Sequence, residues 1–240
     1  MSEVTATRFD YAVGEQRYAG LRFADSSATP TAAIVLLPDW RGQGPLAREH
    51  ASYLVELGCA VVIADLYGDG FMPDSPAQVG PMVQRLIEHR LEGVKSLSSC
   101  VARLRTEVPP HTPLICLGYS AGGMIALDYA RCEGDVAGII LCSALLKTAA
   151  PGMQTRIKPP VLILQGTQDQ VSPMETISAV IAEMDQANND VRFELYTQTH
   201  HAFDNPQAGG DPRERLVYSP TSAKRAKRAI ANFVSELARS

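Results

Sequence analysis

The sequence is short of the features that mark several protein classes. It holds one tryptophan and 6% aromatic residues, and its 26 acidic and 22 basic side chains leave a net charge of −4. Such a balance gives no electrostatic case for nucleic acid as a partner. Lys224, Arg225, Lys227 and Arg228 form a basic run near the chain end, which reads as a solvated helix face. No apolar run reaches the roughly 20 residues that span a bilayer. The opening residues, Met1 to Arg8, lack a basic segment followed by an apolar core, so neither a secretory leader nor a membrane partner is expected.

Cys59, Cys100, Cys116, Cys132 and Cys142 show no paired spacing and fall mostly in apolar contexts. That argues against a disulfide or zinc framework and predicts reduced core residues in a soluble, cytoplasmic protein. His50, His89 and His111 are scattered and no His-Glu-x-x-His pattern occurs, so no metal and no other cofactor is expected. Repeats, low-complexity tracts and linker-like composition are missing too. With 45% hydrophobic residues, the 240 residues read as a single domain over 1–240 able to bury a full core.

What is present is a series of short apolar runs separated by helix-like segments. Val4 to Phe9 and Tyr18 to Phe23 read as a leading hairpin. They are followed by strands at Ala32 to Leu37, Ala60 to Ala64, Leu114 to Leu117, Val136 to Cys142, Val161 to Leu164 and Val191 to Tyr196. Unbroken apolar strands alternating with helices indicate an α/β fold, a doubly wound, mainly parallel sheet with an antiparallel start. Ser222 to Ala238 reads as a closing helix. Gly68 to Gly80 and Asn205 to Pro220, rich in Gly, Pro and Asp, read as loops beside the ligand-binding end of the sheet.

The most specific element is Gly118-Tyr119-Ser120-Ala121-Gly122, set between the apolar run at Leu114 to Leu117 and a helix-like segment carrying Met124, Leu127 and Ala130. This is a nucleophile elbow, with Ser120 at a sharp strand-to-helix turn too crowded for side chains two residues either way. The same turn aims the Ala121 amide at a reacting carbonyl. A serine nucleophile needs a base, and the base a carboxylate to orient it. Asp169 leaves the strand at Val161 to Leu164, and His200 and His201 follow the strand at Val191 to Tyr196, so both groups emerge at the end of the sheet that presents Ser120. By spacing alone the two histidines are nearly equal. Cys116, inside the strand before the elbow, lies too deep to be an alternative nucleophile.

Leu37-Pro38-Asp39-Trp40-Arg41-Gly42, Ala64 to Gly70, the elbow, Gly166-Thr167-Gln168-Asp169 and His201-Ala202-Phe203-Asp204-Asn205-Pro206 together resemble the dienelactone hydrolase family of α/β-hydrolases, from Ile34 to about Ala229. The resemblance implies an α/β-hydrolase fold and selects His201, which stands directly before a small residue and Phe. It also implies the Trp40 amide as an oxyanion donor beside Ala121, and it places Asp39 where the family has a glutamate near the nucleophile. Tyr119, Phe203, Asp39 and Asn205 are expected at the substrate pocket.

Two departures stand out. Ser120 replaces the usual cysteine, and Asn205 occupies the position of an arginine that holds the substrate carboxylate. Arg41, Arg85 and Arg90 are other arginines that could serve. The connection from Cys142 to Val161 is too short for the helical lid of many lipases.

The expected function is hydrolysis of a small ester or lactone through an acyl-enzyme, with Ser120 as nucleophile, His201 as general base then acid, and Asp169 orienting the imidazole. Acyl transfer or perhydrolysis by the same residues is one alternative. A ligand-binding module without turnover is another.

Overall fold

The computed structural model describes residues 5–25, 28–73 and 75–239. Its centre is one eight-stranded sheet: β1 (Thr5–Val13), β2 (Gln16–Ala24), β3 (Ala32–Leu37), β4 (Cys59–Ile63), β5 (Leu114–Tyr119), β6 (Gly138–Cys142), β7 (Val161–Gly166) and β8 (Val191–Tyr196). The spatial order is β1-β2-β4-β3-β5-β6-β7-β8. β1 and β2 pair antiparallel, β2 meets β4 antiparallel, and every later pairing is parallel. β3 to β7 are buried at every position, as strands covered on both faces must be.

The helices are α1 (Pro45–Glu56), α2 (Pro76–Glu88), α3 (Arg90–Arg105), α4 (Ala121–Arg131), α5 (Met174–Gln186) and α6 (Pro220–Leu237). Alternation along the strands divides the core into two layers. Ile34, Leu36, Ile115 and Leu117 pack with Leu54 of α1 and Ile230 and Phe233 of α6. Val35, Leu37, Cys116 and Leu141 pack with Leu97 of α3, Met124 of α4 and Ile177 of α5. The architecture is the α/β-hydrolase fold, a doubly wound sheet with an antiparallel N-terminal hairpin.

Several boundaries differ from the sequence expectation. The hairpin strands run longer than Val4 to Phe9 and Tyr18 to Phe23, because all nine facing pairs from Thr5↔Ala24 to Val13↔Gln16 stay in register; Val4 itself lies outside the described residues. β6 begins at Gly138 rather than Val136, and α6 spans Pro220–Leu237 rather than Ser222 to Ala238. The expected loop from Gly68 to Gly80 ends early, because α2 starts at Pro76 and carries Pro81 inside it. Val83, Leu86 and Ile87 pack against the core at helical spacing, and this apolar stripe outweighs the one backbone hydrogen bond that Pro81 cannot make. Residues 143–160 carry neither helix nor strand, so no helical lid stands between β6 and β7.

Candidate active site

Ser120 sits where β5 turns into α4, at φ 48° and ψ −119°, a left-handed backbone position that costs a non-glycine residue about 1–3 kcal/mol. Surrounding contacts hold it there. The Ser120 amide donates to the Ser143 carbonyl at 3.2 Å, and the Leu145 amide donates to the Ser120 carbonyl at 2.8 Å, which sews the elbow to the loop leaving β6. The flanking glycines are steric requirements. A Cβ on Gly118 would lie 2.5 Å from the Gly123 Cα, and one on Gly122 would lie 2.4 Å from the Leu37 carbonyl oxygen. The second approach brings the end of β3, and with it Asp39 and Trp40, alongside the start of α4.

Ser120 Oγ lies 2.9 Å from His201 Nε2, and His201 Nδ1 lies 2.7 Å from Asp169 Oδ2. Asp169 leaves β7 and is buried, with all its acceptor capacity engaged. Its Oδ1 accepts from the amides of Val171 (2.7 Å) and Ser172 (2.9 Å), and Gln165 Nε2 donates to Oδ2 at 2.6 Å. Gln165 is itself wholly buried in β7 and clamps the Ala144 backbone, accepting from its amide at 3.0 Å and donating to its carbonyl at 3.3 Å. The His201 loop is held by the Ala202 amide, which donates to Ser143 Oγ at 2.7 Å, and by the Val217 amide, which donates to the His201 carbonyl at 3.0 Å. Ser143 therefore ties elbow and histidine loop together. His200 is buried on the same loop, and its Nδ1 has no hydrogen-bond partner among the described residues.

Sequence reasoning missed Gln165 and Ser143. The available signal was a polar side chain at the end of an otherwise apolar strand, in Leu162-Ile163-Leu164-Gln165 and Ile140-Leu141-Cys142-Ser143. In such a position a buried polar group has to find a partner.

The Trp40 carbonyl accepts from the Tyr67 hydroxyl at 2.7 Å, and the Arg41 guanidinium lies 5.5 Å from the Trp40 ring centroid. Asp39 accepts from the Arg41 amide at 2.9 Å and from its Nε at 3.0 Å, with Nη2 also bonded. Arg90 is engaged elsewhere, holding buried Asp128 through Nε and Nη2, each at 2.6 Å.

The other residues expected at the pocket are all buried. Phe203 is wholly buried and packs edge-on against Tyr196, so it offers no surface to a substrate. Asn205 is buried as well, and its Oδ1 accepts from the Gln207 amide at 3.0 Å to cap a one-turn 3-10 helix, Pro206–Ala208. Tyr119 is buried with its ring stacked on His50, centroids 4.2 Å apart.

Beneath this face His50 Nε2 lies 3.6 Å from Asp204 Oδ2. Burial, reinforced by the positive charge of Lys227, pulls the His50 imidazole down to about 4. Burial, reinforced by the negative charge of Asp39, pushes the Asp204 carboxyl up to about 6. Burial also pushes up Cys59, to about 11, and Cys116, so neither thiol supplies a thiolate near neutrality. Among the described residues no cluster of His, Cys, Asp and Glu could hold a metal ion, and no helix is long and apolar enough to cross a membrane.

A hydroxyl bonded to an imidazole that is bonded in turn to a buried carboxylate is an arrangement able to deprotonate the hydroxyl as it attacks an electrophilic centre. Comparison with known proteins agrees with a hydrolase. The solved structure of a protein called m3DLH superposes with a TM-score of 0.90 at 28% identity, covering 98% of both chains. A dienelactone hydrolase-like promiscuous phosphotriesterase from metagenomic libraries superposes with a TM-score of 0.90 at 27% identity, again over 98% of both chains. A third structure, a dienelactone hydrolase homologue from Klebsiella pneumoniae, shares the fold with a TM-score of 0.79 at 18% identity, over 98% of this chain and 99% of that one. A search of curated protein sequences finds no match. The model of the Dienelactone hydrolase family matches residues 19–238, and the chain belongs to that family of ester-hydrolysing enzymes.

Proposed function

We propose that this protein is a serine hydrolase that cleaves a small, uncharged ester or lactone through an acyl-enzyme. Ser120 attacks the carbonyl carbon while His201 Nε2 takes the hydroxyl proton, and Asp169 keeps the ring oriented and stabilises the imidazolium that forms. The amides of Trp40 and Ala121 receive the oxyanion. As the tetrahedral intermediate collapses, the C–O bond to the leaving group breaks and His201 passes its proton to the departing oxygen. Water, deprotonated by His201, then attacks the acyl-enzyme, and the acid leaves as Ser120 regains its proton.

The observation that carries this reading is the unbroken chain from Ser120 Oγ to His201 Nε2 at 2.9 Å and from His201 Nδ1 to Asp169 at 2.7 Å. Serine in place of the cysteine typical of the family makes attack more dependent on the base, since a hydroxyl is a far weaker acid than a thiol. The arginines bear on substrate charge. Asn205 offers no cation, Arg41 is engaged by Asp39, Arg90 by Asp128, and Arg85 lines a cleft to which Ser120 and His201 do not belong. An anionic lactone thus lacks a charge-assisted bond to orient it. With no helical lid over residues 143–160, short substrates fit better than long-chain lipids.

The test is labelling with a fluorophosphonate probe followed by peptide mapping. Covalent modification should fall on Ser120, and Ser120→Ala should lose both labelling and esterase turnover; labelling of another serine overturns the assignment. In parallel, kcat/KM should be higher for a neutral lactone than for dienelactone, and a clear preference for the anion refutes the charge argument. A second reading keeps Ser120 but directs it at phosphorus, supported by the 27% identity to a promiscuous phosphotriesterase. Release of the aryl leaving group from a dialkyl aryl phosphate, beyond one equivalent per enzyme, distinguishes turnover from simple capture.

A further inference from the structure

A cleft of about 980 Å³ opens between the β1–β2 hairpin, the loop after β4, and helices α2 and α3. Neither Ser120, His201 nor Trp40 lines it. Its volume is at the upper end of the range for small-molecule sites, about 300–1,000 Å³. Leu66, Phe71, Met82 and Leu86 give it apolar walls. Phe71 is 48% exposed and the adjoining Met72 is 47% exposed, a large apolar surface left in water beside the opening.

The polar part of the lining is charged asymmetrically. Arg85 of α2 and Lys95 of α3 both line the cleft, and neither forms an ion pair among the described residues. Among the described residues Glu92 is the one carboxylate in the lining, and it faces His89 at 3.6 Å rather than either cation. Among the described residues, two unpaired cations against one carboxylate leave the lining net positive, next to apolar surface that a hydrocarbon tail would cover. This combination selects a ligand with one negative charge and an apolar body.

We propose that this cleft binds an amphipathic monoanion, a free carboxylate on an apolar tail, at a site separate from Ser120. The tail lies against Leu66, Phe71 and Met82, and the carboxylate lies between Arg85 and Lys95. Tyr67 borders the same cleft, and its hydroxyl holds the Trp40 carbonyl at 2.7 Å, so an occupant would touch the residue that supports the Trp40 loop.

The experiment is titration calorimetry on the full chain with decanoate, kept below its micelle concentration, alongside decanol and acetate. Decanoate should bind saturably at one site, with decanol and acetate each weaker by about tenfold or more, the loss expected when a charge-assisted bond or the apolar burial is removed. Arg85→Glu combined with Lys95→Glu should weaken decanoate by about tenfold, since it reverses both charges facing the carboxylate. Both residues are exposed, and an unchanged Tm verifies folding of the double variant. Ser120→Ala should bind decanoate as the parent does, which makes this result independent of whether Ser120 is a nucleophile. Equal binding of decanol, unchanged affinity in the double variant, loss of binding in Ser120→Ala, or no saturable binding would each overturn the proposal.

Discussion

Two buried histidine–aspartate pairs lie close together in this molecule, His201–Asp169 and His50–Asp204, and they are built to opposite ends. The first is 2.7 Å long, and its carboxylate takes three further hydrogen bonds, from Gln165 and two backbone amides. The second is 3.6 Å, beyond hydrogen-bonding range, and burial drives both members toward their neutral forms. The same residue types, both largely removed from water, therefore give a hydrogen-bonded pair in one place and two groups driven toward neutrality in the other. What differs is the supply of fixed donors around the carboxylate, and that supply comes from the turn after β7.

The comparison can be broken most sharply at the site itself. On the proposed mechanism His201→Ala should cost up to about a million-fold in kcat, as removal of the base does in serine hydrolases, while His200→Ala should keep most of the activity. Steady-state kinetics on a short-chain ester decides this, and a severe loss at His200 alone would reassign the base. Asp169→Asn should lower kcat by about ten-thousand-fold by favouring the wrong imidazole tautomer, whereas Asp204→Asn should change it by less than about tenfold. Comparable losses in the two variants would erase the distinction between the pairs. Gln165→Leu removes a donor to Asp169 and leaves the Ala144 amide unpaired, so Tm should fall by the equivalent of about 1–3 kcal/mol. It should also lower kcat more than it raises KM, because Gln165 acts through Asp169 rather than on substrate.

The smallest effect concerns stability against pH. Asp204 is raised from 3.8 to about 6 in the folded state, so between those values the native chain holds the extra proton, and this group makes stability fall as pH rises. His50 is lowered from 6.5 to about 4, so over nearly the same window the unfolded chain holds the extra proton, and stability rises with pH. In the parent the two slopes oppose each other. Urea titrations from pH 4 to 6.5 should show Asp204→Asn gaining stability more steeply with rising pH than the parent, and His50→Gln gaining less or losing. Parallel curves for all three proteins would show that these groups keep ordinary values.

Much of the frame was readable before folding. β3 and the first four residues of β5 and of β7 are continuous apolar runs, as strands covered on both faces use. The order Ser120, Asp169, His201 was readable for a related reason: each follows a strand of one parallel sheet, and parallel strands deliver their following loops to one end. The start of α2 was misread because the Gly, Pro and Asp content of Gly68 to Gly80 signalled a loop, while the stripe of Val83, Leu86 and Ile87 counted only once a core was there to receive it. Choosing between His200 and His201 required the family resemblance, since local spacing treats them alike; in the structure it is His201 that lies 2.9 Å from Ser120. Phe203 and Asn205 were expected at the pocket from the family resemblance, and what the sequence did not show is the turn that begins at Ala202, with φ 59°, and leaves both buried.

The sequence by itself determined the sheet, the elbow and the presence of a serine, an acid and a histidine in hydrolase order, because periodicity, turn chemistry and residue order are local properties of a chain. Only the tertiary structure decided which polar groups lie within a few ångströms of one another. Gln165 reached Asp169 and the Ala144 backbone, Ser143 linked the elbow to the histidine loop, Arg90 was drawn to Asp128, and His50 met Asp204. Hydrogen bonding and desolvation act over distances of about 3 Å, and separations as large as the 154 positions from His50 to Asp204 are closed only when the core packs.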